Sequence, residues 1–265
     1  MPDREPSTLW GRLIALPVDS TPKTIFVAVT LCLFCFILVA FAAVNLRPSQ
    51  GYNKALDKKV NILQVAGLYK EGVDVGAVFS SFEPRIVDMR TGKFTDAIDI
   101  ASFDERAAAK DPSMSSELQE DPASIGRKPN FTTVYLLKNK DGSLDKIILP
   151  IYGYGLWSTL YGFIALEENG NDIFGLQFYD HAETPGLGAE VDNPRWKAQW
   201  QGKKLRDEAG NLMIQVAKVA KVKEHHIDAL AGATLTSDGV DNLVKFWMGK
   251  SGFAAFISNL KAGAA

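Results

Sequence analysis

The sequence predicts one N-terminal transmembrane helix followed by a single α+β domain. Three observations carry that prediction. An uncharged apolar run lies near the N-terminus, strand-like segments punctuated by turn residues cluster in the middle, and segments with helical spacing lie on both sides of them.

The apolar run spans 24–46, from Thr24 to Leu46, without a charged residue. As a helix it reaches about 34 Å, enough for a hydrocarbon core of roughly 30 Å. Lys23 and Arg47 bracket it, and Trp10 lies in the leader, residues 1–23. Ala40-Phe41-Ala42 has the small-x-small look of a signal-peptidase site. The run is longer than a signal h-region and the leader before it is long, so an uncleaved anchor is the better reading. Flanking charge does not set the orientation: Arg4, Arg12 and Lys23 precede the run, and Arg47, Lys54, Lys58 and Lys59 follow it. Cys32 and Cys35 have CxxC spacing but sit inside the run, where they read as small lipid-compatible residues.

Residues 47–265 form the soluble domain. Leu56, Val60, Leu63 and Ala66 predict an amphipathic helix over 53–69, and a second short helix fits 73–82. Residues 85–90 read as a strand ending at Thr91-Gly92. The stretch 94–130 is acidic and rich in Ser, Ala and Pro, which predicts a surface excursion with little core. Strands follow at 131–137 and 146–151, joined through Asn139-Lys-Asp-Gly142, then at 159–166 and 173–179. A helix over 191–200 puts Trp196 and Trp200 on one face, 212–217 is a further strand, and 237–260 closes the chain as a helix.

Composition narrows the function. Net charge is −2 and no basic face is evident, so nucleic acid is not an expected partner. The only cysteines are those of the apolar run, which excludes a disulfide scaffold or a Cys-ligated metal in the soluble part. His181, His225 and His226 do not have a ligand spacing, and no metal is expected. Hydrolase, NTPase and Rossmann signatures are missing, and no residue is singled out as catalytic.

Three glycine-containing loops remain. Tyr152-Gly-Tyr-Gly-Leu-Trp157 sets aromatic planes beside permissive backbone, which suits a planar heterocycle and equally a tight turn with a core Trp. His181-Ala-Glu-Thr-Pro-Gly-Leu-Gly188 is a strong turn signal. Asp228-Ala-Leu-Ala-Gly-Ala-Thr234 runs into the last helix, whose free N–H groups and dipole suit an anion. The competing expectation is that Thr236, Ser237 or Asp238 caps that helix.

Taken together the loops show a resemblance. Asp228-Ala-Leu-Ala-Gly-Ala-Thr234 resembles the flavinylation motif D-x-x-[S/T]-G-A-T of membrane redox complexes. Glu183-Thr-Pro-Gly-Leu-Gly188, and Tyr152–Trp157 with Tyr161-Gly-Phe-Ile-Ala-Leu166, are similar to other stretches of the same covalent FMN-binding domain family. With the single anchor, the chain most resembles the family of C-type subunits of the sodium-translocating NADH:quinone oxidoreductases. It departs at Ala231, where the family usually has Ser or Thr.

The resemblance implies FMN joined through its phosphate to Thr234 by a separate flavin transferase. Gly232 and Ala233 then leave room for the phosphate, Ala231 is a small loop residue of the same cofactor-binding motif, Asp228 assists modification, and Thr236 and Ser237 are decoys. Gly155, Leu156 and Trp157 are expected on one side of the ring system, and Glu183, Thr184 and Leu187 on another. Lys218 is a candidate cation near the flavin. The resemblance further implies an electron relay from a membrane iron–sulfur centre to the FMN of a neighbouring subunit. Its setting is the bacterial inner membrane, with a single pass, the soluble domain in the periplasm, and other membrane and peripheral subunits as partners. The alternatives are the G-type subunit of the related ferredoxin:NAD electron-transport complexes and a flavin-free anchored scaffold.

Overall fold

The computed structural model describes residues 8, 11, 16–18, 20–219 and 222–265. Arg4, Trp10 and Arg12 of the leader lie outside them. The chain divides into two units, Met1–Leu56 and Asp57–Ala265.

Helix α1, Thr21–Val65, contains the uncharged run. It is long and apolar enough to cross a membrane, and its apolar window is unburied throughout. The amphipathic helix expected over 53–69 is not a separate element: α1 continues through Pro48 into it. The helix stops where Gly67 takes a positive φ, letting the amide of Leu68 donate back to the carbonyl of Leu63 at 2.8 Å. A short helix α2, Val75–Phe79, is N-capped by Asp74, whose carboxylate accepts from the amides of Gly76 and Ala77.

The centre of the domain is a six-stranded antiparallel sheet. Its strands are β1 (Phe82–Asp88), β2 (Lys93–Phe94), β5 (Phe131–Lys138), β6 (Leu144–Tyr154), β7 (Thr159–Glu167) and β8 (Ile173–Asp180), in the order β2-β1-β5-β6-β7-β8. The inner strands are apolar on both faces because both are covered. Val134, Leu136, Ile147, Leu149, Ile151, Ile164 and Leu166 face one apolar cluster. Tyr135, Leu137, Ile148, Phe163 and Ala165 face the other, where Ile62, Leu63, Val65 and Ala66 from the end of α1 pack. This explains why 146–151 reads as a continuous apolar run rather than an alternating one.

The excursion holds helix α3 (Glu105–Lys110) and a small hairpin of β3 (Ser115–Glu117) and β4 (Arg127–Pro129). Its buried residues are few, but Ala123 enters the core, and its carbonyl accepts from the amide of Tyr154 at the end of β6. The expected helix over 191–200 is divided by Pro194. A 3₁₀ turn covers Gly188–Asp192, Asn193 caps a restart, and α4 is Pro194–Ala198. Trp196 and Trp200 still meet, edge to face, with centroids 5.7 Å apart.

The strand expected at 212–217 shortens to β9, Gln215–Ala217, and pairs in parallel with β10, His226–Asp228. The last helix begins three residues early and breaks in the middle, into α5 (Thr234–Met248) and α6 (Ala254–Lys261). At the break the amide of Phe253 donates to the carbonyl of Trp247 at 2.6 Å, and a Cβ on Gly252 would lie 2.1 Å from that oxygen.

Candidate functional site at the start of helix α5

Helix α5 is seated by its apolar face: Val240, Leu243 and Trp247 are fully buried. The Trp247 indole donates to the carbonyl of Tyr152 at 2.6 Å, and Asp241 accepts from the amide of Val216 at 2.7 Å. These contacts tie α5 to β6 on one side and to β9 on the other. The first turn is thereby held beside the three glycine loops.

Glycines bring the backbones together. A Cβ on Gly239 of α5 would lie 2.5 Å from the Tyr154 carbonyl and 3.0 Å from the Gly155 Cα, so only glycine permits this approach. The loop after β10 turns at Gly232, with φ +73°, and the Leu187 side chain packs on that glycine. Loops 152–157, 181–188 and 228–234 thus converge on one end of α5.

The strongest link between them is Glu183, 5% exposed. Its Oε1 accepts from the amides of Leu156 (3.0 Å) and Trp157 (2.9 Å), and its Oε2 accepts from the Thr236 hydroxyl at 2.7 Å. Burial works to raise the carboxyl pKa, but the amides of Trp157 and Leu156 and the Thr236 hydroxyl outweigh it and hold the pKa below the ordinary range. The amide of Ala182 donates to Ser158 Oγ at 2.7 Å, and the amide of Glu183 donates to His181 Nδ1 at 3.2 Å. His181 Nε2 pairs with Asp192 at 2.8 Å.

The three hydroxyls near the start of α5 have different fates. Thr236 is fully buried and bound to Glu183. Ser237, also buried, donates to the Ala233 carbonyl and accepts from the Leu230 amide, both at 2.9 Å. Thr234 is exposed, and among the described residues its hydroxyl has no hydrogen-bond partner. The cap position is Ala233, which supplies no side-chain cap. Capping by Thr236, Ser237 or Asp238 is therefore corrected: all three lie inside the helix, and among the described residues no side chain caps the start of α5.

The converging loops and the first turn of α5 expose apolar side chains: Trp157 is 65% and Leu235 60% exposed, and Leu156 and Leu187 are exposed as well. Thr184 lies at the exposed turn of its loop, its carbonyl accepting from the amides of Leu187 and Ala189. Ala231 and Gly232 are exposed, and Ala233 is buried. Asp228 is anchored through its backbone: its carbonyl accepts from the Trp196 indole at 2.8 Å and its amide donates to Gln199 at 2.9 Å. Its exposed carboxylate pairs with His226 Nε2 at 3.0 Å. Lys218 is exposed just past β9, where the Ala229 amide donates to the Ala217 carbonyl beside it. An uncapped helix N-terminus, one unbonded hydroxyl and a flanking apolar surface together suit a phosphate ester bearing an aromatic ring.

Residues 155–249, which hold most of the three loops and all of α5, match the model of the FMN-binding domain family. Over 258 residues the chain is 50% identical to the C-type subunit of the Na(+)-translocating NADH-quinone reductase of Pseudomonas aeruginosa, covering 93% of this chain and 98% of that protein. The chain belongs to the family of C-type subunits of Na(+)-translocating NADH-quinone reductases. The family member of Vibrio vulnificus is 47% identical, with 92% of this chain and 97% of that one covered. The crystal structure of Shewanella oneidensis NqrC superposes with a TM-score of 0.72 at 36% identity, over 79% of this chain and 97% of that one. The crystal structure of the family member from Parabacteroides distasonis gives 0.64 at 26%, over 80% and 97%.

Sequence reasoning did not find Ser158, Gly239 or Asp192 as parts of this site. Gly239 had a signal, an isolated glycine within a helical pattern. Ser158 and Asp192 had none, because their partners are set by tertiary contact.

Proposed function

We propose that this chain is the membrane-anchored electron-transfer subunit of a Na(+)-translocating NADH:quinone reductase, carrying FMN esterified through its phosphate to Thr234. One observation carries the attachment: of three hydroxyls near the start of α5, only that of Thr234 is exposed and unbonded. Its position opens a 15-residue helix that lacks a side-chain cap. The uncapped first-turn amides and the helix dipole stabilise a phosphate there, an effect of about 0.3–1 kcal/mol at an exposed site. Gly232 and Ala233 add no bulk next to it.

FMN, when bound, supplies reversible electron acceptance and release. The remaining work belongs to the chain. Leu156, Trp157 and Leu187 offer apolar surface to the ring, and Gly155 and Thr184 shape the turns that present it. Lys218 supplies a cation at the rim, favouring added negative charge on the ring. Asp228, with its backbone pinned by Trp196 and Gln199, offers its carboxylate to a flavin transferase during modification. Residues 24–46 anchor the domain in the inner membrane, with residues 47–265 on the periplasmic side. There the chain serves between a membrane iron–sulfur centre and the FMN of a neighbouring subunit.

The test is a denaturing gel of the matured complex viewed under ultraviolet light, followed by mass spectrometry of the peptide containing Thr234. A fluorescent band with FMN minus water on that residue is expected, lost in Thr234→Ala and kept in Ser237→Ala. An unmodified mass for that peptide in the matured complex removes the proposal and leaves a flavin-free scaffold.

A further inference from the structure

We propose that Glu183 is the positioning residue of this site: its buried carboxylate locks the turn bearing Trp157 to the first turn of α5 and so sets where that indole stands relative to a group carried on Thr234. The inference rests on FMN at Thr234. Its own observations are separate. The carboxylate joins two loops through four donors: the amides of Leu156, Trp157 and Ser158 (the last at 3.4 Å) and the Thr236 hydroxyl. Two glycines leave it space. A Cβ on Gly155 would stand 2.7 Å from Oε1, and one on Gly188 would stand 2.5 Å from Oε2 and 2.6 Å from Thr236 Oγ1.

The link is selective. Trp157 is 65% exposed, so its side chain is not fixed by packing. Its turn is closed by the Gly155 amide donating to the Ser158 carbonyl at 2.8 Å, and it is tied to the 181–188 loop by the Ala182 amide on Ser158 Oγ and by the amide bonds to Glu183, which alone continue on to α5. Thr236 lies two residues past Thr234 in a helix whose far end is fixed in the core. A carboxylate bonded to both leaves neither end free to move alone. Charge-assisted bonds of this kind are stronger than neutral ones. Glu183 thus acts through the residues it holds, not by touching the ring.

Trp157 and Glu183 are the pair to test, in the full-length chain flavinylated by coexpression with its transferase. An indole against a flavin quenches its emission. Trp157→Phe is expected to brighten the flavin and lengthen its lifetime. Glu183→Ala should brighten it to the same degree, and the double variant should add nothing. Glu183→Gln keeps an oxygen for the three amides and a group for the Thr236 hydroxyl, so quenching should be restored. Where Glu183→Ala is unfolded or unmodified, Thr236→Val cuts only the hydroxyl link and carries the same readout.

Each contrary result has a distinct meaning. Wild-type quenching in Glu183→Ala, even with a lowered melting temperature, makes the residue a stabiliser only and overturns the proposal. Emission unchanged in Trp157→Phe overturns it too, since the turn is then remote from the ring. A wild-type chain without flavin mass at Thr234 instead overturns the underlying reading, and the inference goes with it.

Discussion

Replacing Gly239 with alanine isolates the close approach on which the site is built. In an ordinary helix this change stabilises by about 0.5–1 kcal/mol, because alanine loses less backbone freedom. Here the new methyl would lie 2.5 Å from the Tyr154 carbonyl oxygen, and ordinary contact begins at 3.4 Å. The obstacle is backbone in a paired strand and cannot rotate away, so α5 has to retreat by most of an ångström. Leu243 and Trp247, one and two turns further on the same face, are fully buried and retreat with it. Overpacking of this kind costs about 1–3 kcal/mol. Net of the helix gain, Gly239→Ala is expected to destabilise by about 1–2 kcal/mol. For a domain of this size that lowers the melting temperature by about 2–8 °C. Thermal unfolding of the detergent-solubilised chain, followed by circular dichroism, measures it. A variant melting at or above the wild type refutes the reasoning, because the approach of α5 to β6 would then have slack.

Asp241→Ala leaves the Val216 amide, now paired at 2.7 Å, without its acceptor, and is expected to cost about 1–3 kcal/mol with faster hydrogen exchange at Val216; Asp241→Asn should recover most of it. Arg106 lies 3.6 Å over the Tyr161 ring and bridges Asp180 at 2.7 Å, in a half-exposed setting. Arg106→Ala should therefore cost only about 1–2 kcal/mol in denaturant melts, mostly insensitive to salt if the ring contact dominates. Loss of solvent around Glu105 raises its carboxyl pKa, against the opposing pull of Lys58 and the Thr132 hydroxyl. A raised folded value means that its contribution is present below the unfolded value and lost as pH rises through the folded one. Glu105→Gln should thus gain stability relative to wild type as pH rises above the ordinary carboxylate range; a difference that does not grow with pH sinks that assignment. Glu183 has the opposite sign: its lowered value stabilises the fold above the unfolded carboxyl range and is lost as pH falls through the folded value, so Glu183→Gln should flatten the acid limb of the stability profile.

Much of this architecture is legible in local pattern. The central strands announce themselves through β-branched and aromatic runs set between Asn-Gly and Asp-Gly turns, and each appears within a few residues of its expected place. What local pattern misses has physical causes. Strand β10 is three residues long and exists because β9 lies beside it, a pairing that leaves no periodic signal. The start of α5 is hidden because Ala233 is no capping residue, so Thr236 and Ser237 look like better caps than they are. Gly249 and Gly252 mark the break after Met248, but the apolar pattern continues across it. Glu183 is legible as a site residue only through the family resemblance of its loop. The amides that hold it come from a loop some 26 residues earlier, and only the fold brings them together.

Because Leu243, Trp247 and Met248 rivet the far end of α5 into the interior, residue 234 stands on a backbone that turns only with the globule. Any freedom of a group esterified there belongs to the threonine side chain and to the group's own chain, not to the helix beneath it.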